Sequence, residues 1–257
     1  MREIISVINQ KGGVGKTTTS VNLAASLAVA EKRVLLIDTD PQASATYALG
    51  FDRSNFEYSL YHLLTESKSI DEVILNTLLP YLDFIPSDIT LSGLEKDNLP
   101  YKEETLKHIL NGIKDRYDFI IIDTAPVLDM LTLNALIASD SVIIPVQTDS
   151  FVEDMLNQLL ETIKVIRKNK NKKLKIRGLL PTMYSKKNNL SKQILQDLIT
   201  LYPDYIIKNS ENGKYIYIPR NVKLSEAFMF GKPAILYDVK SSGAIAYAVL
   251  ANTILKN

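Results

Sequence analysis

The residues best suited to chemistry lie in one short run, Lys11-Gly12-Gly13-Val14-Gly15-Lys16-Thr17, with Thr18 and Thr19 directly behind it. Glycines at 12, 13 and 15 let backbone N–H groups turn inward around phosphate oxygens, and a helix starting at the end of the run adds its positive N-terminal end. Lys16 is placed to reach β- and γ-phosphates, and the Thr17 hydroxyl to ligate magnesium. The ordinary phosphate loop opens with a glycine, four free positions, then Gly-Lys-Ser/Thr; here Gln10 stands where that first glycine belongs. Lys11 is the unusual addition, because two ammonium groups in one loop repel each other unless several negative charges hold them, as a triphosphate does. A strand-to-helix turn that binds nothing needs neither three glycines nor a lysine followed by threonine.

Three acids complete a candidate phosphoryl-transfer site. Asp123 ends the apolar run FIIID and fits the acid that holds magnesium directly or through water. Asp38 and Asp40, in IDTDP, end a neighbouring apolar run, where one suits a magnesium-bound water and the other the attacking water. The plain alternatives are a strand-end aspartate capping a turn for Asp123 and a simple turn before Pro41 for Asp40. His62 and His108 are far apart and read as structural or surface residues, and no Ser-His-Asp or two-histidine metal spacing occurs.

These residues need a scaffold that brings several strand ends together. Short apolar runs at 3–9, 33–37, 119–123, 142–146, 176–180 and 216–218 predict strands, and helical patterns follow the glycine loop and recur near 104–115, 152–168, 190–201 and 242–255. Continuous apolar strands alternating with amphipathic helices indicate a mostly parallel, twisted sheet flanked by helices on both faces, in an α/β single-domain P-loop NTPase. Ligands of such sheets sit outside the carboxyl ends of the strands, where Asn9-Gln10, Asp38 and Asp123 fall. One domain spanning 1–257 is expected, with 50–104 reading as loop and short helix and a possible peripheral insertion.

Composition removes other classes. The chain has no cysteine, which excludes disulfide scaffolds, thiolate zinc sites, cysteine nucleophiles and cysteine-ligated iron–sulfur clusters. Met1 runs directly into a β-like segment without the basic and apolar regions of a signal peptide, and no 18-residue apolar run is present, so a cytoplasmic protein is expected. Net charge is only +1, yet residues 164–192 carry eleven basic side chains and no acidic one. Charge is therefore segregated along the chain.

With those residues in view, KGGVGKTTT at 11–19, LLIDTDPQASAT at 35–46, YDFIIIDTAP at 117–126, LTLNAL at 131–136, IPRNVKLSEA at 218–227 and GKPAILYD at 231–238 together resemble the ParA/Soj chromosome- and plasmid-partitioning ATPases, in the short form without an N-terminal helix-turn-helix extension. The resemblance covers nearly the whole chain; the glycine loop is shared with a wider superfamily, whereas the PRNVKLSEA and GKP blocks are specific to this branch. It implies ATP and Mg2+ as ligands, with Lys11 reaching the nucleotide of the opposite subunit in an ATP-sandwiched homodimer, and Lys16 and Thr17 serving their own nucleotide. It further implies that Asp40 positions the hydrolytic water, that Asp123 is the acid of the second switch, and that Pro219 and Asn221 lie beside the adenine. Three segments depart from the family: Thr124-Ala125-Pro126 stands where two prolines usually follow the second-switch acid, Thr148 to Met155 replaces the usual C-E-Y-F-A-L-E-G, and Ala43-Ser44-Ala45 replaces the usual glycines and asparagines.

The resemblance also implies nonspecific double-stranded DNA and a ParB/Spo0J-like centromere-binding protein as partners, with the protein on the nucleoid. Phosphate contacts from Lys and Arg are sufficient for such DNA binding, and Lys186, Lys187 and Lys223 are the expected contacts. A solvated helix end and loop is the plain reading of the basic stretch. A membrane-bound ATPase resembling MinD is the main rival, but the tail AIAYAVLANTILKN carries only Lys256 and suits packing against the sheet, so no membrane partner is expected. A scaffold that uses ATP only to dimerise is the third reading; Lys16, Thr17, Asp40 and Asp123 together speak for hydrolysis, and the sequence offers no glutamine or arginine finger, so turnover is expected to be slow.

Overall fold

The computed structural model describes residues 2–94, 103–149 and 153–256. Seven strands form one sheet: β1 (Glu3–Val7), β2 (Val34–Asp38), β3 (Leu75–Asn76), β4 (Leu82–Ile85), β5 (Phe119–Asp123), β6 (Ser141–Gln147) and β7 (Lys175–Thr182), in the order β3-β4-β2-β5-β1-β6-β7. Every neighbouring pair is parallel except β3–β4. The helices are α1 (Lys16–Val29), α2 (Ser44–Ala48), α3 (Leu60–Leu64), α4 (Ile70–Val73), α5 (Thr105–Ile113), α6 (Met130–Ala138), α7 (Glu153–Asn169), α8 (Asn189–Leu201), α9 (Val222–Met229), α10 (Ala234–Tyr237) and α11 (Ser242–Lys256), with a 3-10 turn over Ile89–Gly93.

Alternation along β2 shows how the two layers arise. Val34 and Leu36 face one core with Leu23, Leu27, Tyr247 and Leu250 of α1 and α11, whereas Leu35 and Ile37 face the other with Leu60, Leu63, Leu106 and Leu110. Strands buried on both faces read as continuous apolar runs because each layer of helices claims alternate residues. The C-terminal helix α11 buries Ala244, Tyr247, Leu250, Ala251 and Ile254, so it is a core helix against α1. No described helix is long and apolar enough to cross a membrane.

Two elements differ from the sequence reading. Residues 82–85, inside the stretch read as loop and short helix, form β4 beside β2, so that stretch contributes to the sheet itself; residues 95–102 of the same stretch lie outside the described residues. Residues 216–218 form no strand. Ile216 and Ile218 are buried as the apolar pattern requires, but the Ile216 N–H donates to Ile207 and the Ile218 N–H to Pro181, so the segment divides its hydrogen bonds between two partners and makes only isolated bridges at Tyr215 and Pro219.

Candidate nucleotide site

The phosphate loop follows β1 and is fastened at three points. The Asn9 side-chain amide donates to the Pro145 carbonyl (2.7 Å), the Asn9 Oδ1 accepts from the Lys11 N–H (2.9 Å), and the Thr182 hydroxyl at the end of β7 donates to the Val14 carbonyl (2.8 Å). Gly13 and Gly15 have φ of 73° and 90°, a left-handed backbone that a side chain would strain, and nothing lies within 4 Å of a Cβ placed on Gly12 or Gly13. Gly15 ends the loop as the N-terminal cap of α1 without a side-chain cap, and the first turn of the helix carries no acid. Its leading N–H groups are thus available to an anion. The Lys16 side chain curls back over this loop, with Nζ donating to the Lys11 carbonyl (3.3 Å). Burial lowers the Lys16 pKa, opposed by the carboxylates of Asp123 and Asp40.

Parallel register sets Asp38 directly against Asp123 at the ends of β2 and β5. Both are fully buried. Asp123 accepts from the hydroxyls of Thr17 (2.8 Å) and Ser20 (2.7 Å), while Asp38 accepts from the backbone N–H (2.9 Å) and hydroxyl (2.8 Å) of Thr46 and from the Asp40 N–H (3.1 Å). Burial pushes both carboxyls above their ordinary range, and for Asp38 the neighbouring Asp123 adds to it. Asp40, two residues beyond the end of β2, is also buried: its carboxylate accepts from the Gln42 N–H (2.9 Å), and its carbonyl accepts from the Ser87 hydroxyl (2.5 Å). An oxygen-only set of one hydroxyl and two desolvated carboxylates beside a single lysine is short of positive charge, which fits a hard divalent cation completed by phosphate and water.

Beside Gly15 and Thr18 a cleft of about 430 Å³ opens, walled by Met183, Pro219, Asn221, Leu224, Phe228 and Tyr247. Pro219 lines this cleft next to the phosphate loop. Asn221 lines the same cleft, but its side chain is already engaged: Oδ1 accepts from the Lys223 N–H (2.7 Å) as the cap of α9, and Nδ2 donates to the Ser242 hydroxyl (2.5 Å). Its evident work is to fix the wall. Met183 holds a left-handed φ of 55° at the mouth of the cleft.

The AAA-domain family model matches residues 2–176. The sporulation initiation inhibitor protein Soj of Bacillus subtilis is 45% identical, covering 100% of both chains, and the chromosome partitioning protein ParA of Myxococcus xanthus is 41% identical over 98% of this chain and 88% of its own. The chain belongs to the ParA/Soj family of chromosome-partitioning ATPases. Among solved structures, a putative plasmid partition protein of Borrelia burgdorferi bound to AMPPNP is 32% identical with a TM-score of 0.78, covering 99% of this chain and 98% of its own. A Mycobacterium smegmatis protein called cobyrinic acid a,c-diamide synthase, with bound ADP and magnesium, is also 32% identical, with a TM-score of 0.84 over 100% of this chain and 95% of its own.

Within this ParA/Soj fold the structure gathers Lys11, Lys16, Thr17, Thr18, Asp38, Asp40 and Asp123 at one end of the sheet. It does not gather the basic stretch. β7 crosses it for eight residues, about 26 Å at strand rise, so Lys186, Lys187 and Lys192 lie at the phosphate-loop end while Arg167 to Lys175 lie at the opposite end. Lys186 and Lys187 are exposed, whereas Lys223 is paired with Glu226 (2.7 Å). Ser150, Phe151 and Val152 of the divergent segment lie outside the described residues; Asp149 pairs with Arg220 beside the cleft. Sequence reasoning missed Ser20, Thr46, Ser87 and Thr182 as holders of the site. Ser20 had a signal, being three residues after Thr17 on one helix face, but Ser87 follows β4 and nothing local marks it.

Proposed function

We propose that this protein hydrolyses ATP slowly and partitions DNA, closing into a face-to-face dimer when ATP is bound. The observation that carries the reading is the pairing of two lysines, Lys11 and Lys16, on one glycine loop with the acids Asp38, Asp40 and Asp123 at the adjoining strand ends. The relatives bound to ADP with magnesium and to AMPPNP support ATP as the ligand. Magnesium would be held by the Thr17 hydroxyl with Asp123 and Asp38, directly or through water, and would neutralise charge on the phosphate oxygens. Backbone N–H groups of Gly12 to Thr18 orient the phosphates, and Lys16 contributes its ammonium from a desolvated position where its charge acts strongly. Asp40 orients the attacking water. Lys11 serves the partner's phosphates, and Pro219 with Asn221 walls the base. The dimer then binds double-stranded DNA without sequence preference through Lys186, Lys187 and Lys223, and a ParB/Spo0J-like partner that shares the DNA accelerates hydrolysis and releases it. A single domain spans 1–257, and the protein acts in the cytoplasm on the nucleoid.

The test is binding to nonspecific duplex DNA with and without ATP, comparing the native chain with Lys16→Ala and with Lys186→Ala/Lys187→Ala. ATP should raise affinity at least tenfold in the native chain and in neither variant. A native chain whose DNA affinity is indifferent to ATP would sink the partition reading.

A further inference from the structure

At the end of the sheet opposite the phosphate loop, a basic basin of about 420 Å³ opens beside the start of β1. Six basic side chains line it, Arg2, Lys107, Lys114, Lys170, Lys172 and Lys173, against two acids, Glu3 and Asp140. Both acids are already committed. Glu3 pairs with Arg177 (2.5 Å) and accepts from the Ser141 hydroxyl (2.7 Å), and Asp140 accepts from the Ile4 N–H (2.9 Å). Arg2 pairs with Asp115 and Lys170 with Glu103. Among the described residues no carboxylate pairs with Lys107, Lys114, Lys172 or Lys173. Four uncompensated ammonium groups around one concavity repel one another, and low-dielectric walls focus their field on an anion that enters.

These four charges stand on two walls over an apolar floor. Lys107 and Lys114, at i and i+7 along α5 and its C-terminal cap, return to one helix face with Asn111 between them, while Leu106, Leu110 and Ile113 take the buried face. Lys172 and Lys173 stand on the turn between α7 and β7, and that turn is pinned: the Asn171 amide donates to the carbonyls of Leu136 (3.0 Å), Ile137 (3.2 Å) and Ser139 (2.6 Å) at the end of α6, and Leu174 is buried. Its charges are therefore presented without the ordering cost of a loose loop. Ile4, Tyr117, Ile120 and Ile137 make the floor. The Tyr117 hydroxyl is spent on Asp83 (2.7 Å), which leaves the apolar part of that side chain to the basin.

We propose that the basin is a ligand site, separate from the phosphate loop, for a small organic polyphosphate: a body of mononucleotide size carrying phosphate at two positions, one held by the α5 lysines and one by the turn lysines, with its ring over the apolar floor. A volume of about 420 Å³ falls among pockets that enclose such molecules, roughly 300–1,000 Å³. Phosphate suits these walls because a lysine ammonium is a compact point charge with three donors, which gathers phosphate oxygens without the planar geometry an arginine fork imposes. Asn111 is exposed and makes no hydrogen bond among the described residues, so its amide is free to meet the sugar or ring. None of these residues belongs to the phosphate loop or its acids, and the inference does not depend on the partition reading.

The experiment keeps the phosphate loop filled: the full chain saturated with Mg-ADP is titrated by calorimetry with guanosine 3′,5′-bis(diphosphate), with guanosine diphosphate and with tripolyphosphate. The two-ended nucleotide should bind at about one equivalent per chain and at least about tenfold tighter than the other two, of which one reaches a single wall and one lacks the ring. Lys107→Gln/Lys114→Gln and Lys172→Gln/Lys173→Gln, each with a native melting temperature in the absence of probe, should each weaken it by at least about tenfold. Lys186→Gln/Lys187→Gln, with the same loss of charge at the other end of the sheet, should bind it as native. No saturable binding, an affinity that follows probe charge alone, native affinity in either wall variant, or displacement of the probe by duplex DNA at matched phosphate concentration would each overturn the proposal. Release of a fluorescent ADP analogue by the probe would place the binding at the phosphate loop and overturn it as well. Any of these results leaves the partition reading standing, since that reading is tested by ATP-dependent DNA binding.

Discussion

Asp123 carries three tasks at once: it holds the hydroxyls of Thr17 and Ser20, faces Asp38 across the β2–β5 register, and supplies part of the negative field around Lys16. Burial makes its ionised form less at home in the fold than in water, so without ligand this carboxylate is a cost to stability. Asp123→Asn keeps the shape: one of the two hydroxyls goes on donating to the amide oxygen, and the other rotates to accept from the amide nitrogen. Thermal unfolding at pH 8 without nucleotide should show the variant more stable by about 1 kcal/mol, or roughly 2–4 °C, while ATP turnover falls at least about 100-fold. A less stable variant would mean that Asp123 chiefly neutralises Lys16. At this scale the site was largely legible, because the loop, its lysines and Thr17 are adjacent in sequence; Thr46 and Ser87 act only because folding carries them to Asp38 and Asp40.

Between β2 and α2 the chain must reverse just after the acids, and Ala43 does so in a left-handed conformation with φ 55° and ψ 36°. That conformation costs a residue with a Cβ about 1–2 kcal/mol, which is a physical reason for glycine and asparagine to be usual in this segment. Ala43→Gly should raise stability by about 0.5–1 kcal/mol after the extra freedom glycine gives the unfolded chain, read as a shift in urea midpoint with unchanged slope. A lower midpoint would show that the Ala43 methyl, itself buried, contributes more by packing than its backbone loses. Elements of ten or more residues, such as α7 and α11, declare themselves by periodicity. β4 does not, since it is four residues with Asp83 in the middle, and its place in the sheet comes from pairing with β2. Residues 216–218 show the converse: alternation there reflects burial of Ile216 and Ile218, not a ladder.

The molecule as a whole is polar along its strands, with phosphate chemistry at one end of the sheet and the basic basin at the other, a separation no linear charge count reveals because β7 hides it. That polarity dictates how two copies meet if Lys11 is to serve a partner: the phosphate-loop ends must face each other. Lys11 is only partly buried at the rim of the loop, whereas the Lys16 ammonium already lies over its own loop carbonyl. The two lysines should therefore fail differently. Lys16→Ala removes a charge from the protein's own phosphate site and should weaken binding of a fluorescent ATP analogue at least tenfold, since a charge-assisted contact in a desolvated site is worth about 1.5–3 kcal/mol. Lys11→Ala should leave that affinity within about threefold and yet abolish the ATP-dependent dimer seen by sedimentation velocity, because the partner's phosphates lose the cation that draws the faces together. If instead Lys11→Ala weakened monomer affinity as much as Lys16→Ala while dimers still formed at saturating ATP, both lysines would belong to one protomer's site, and face-to-face closure would need another cause.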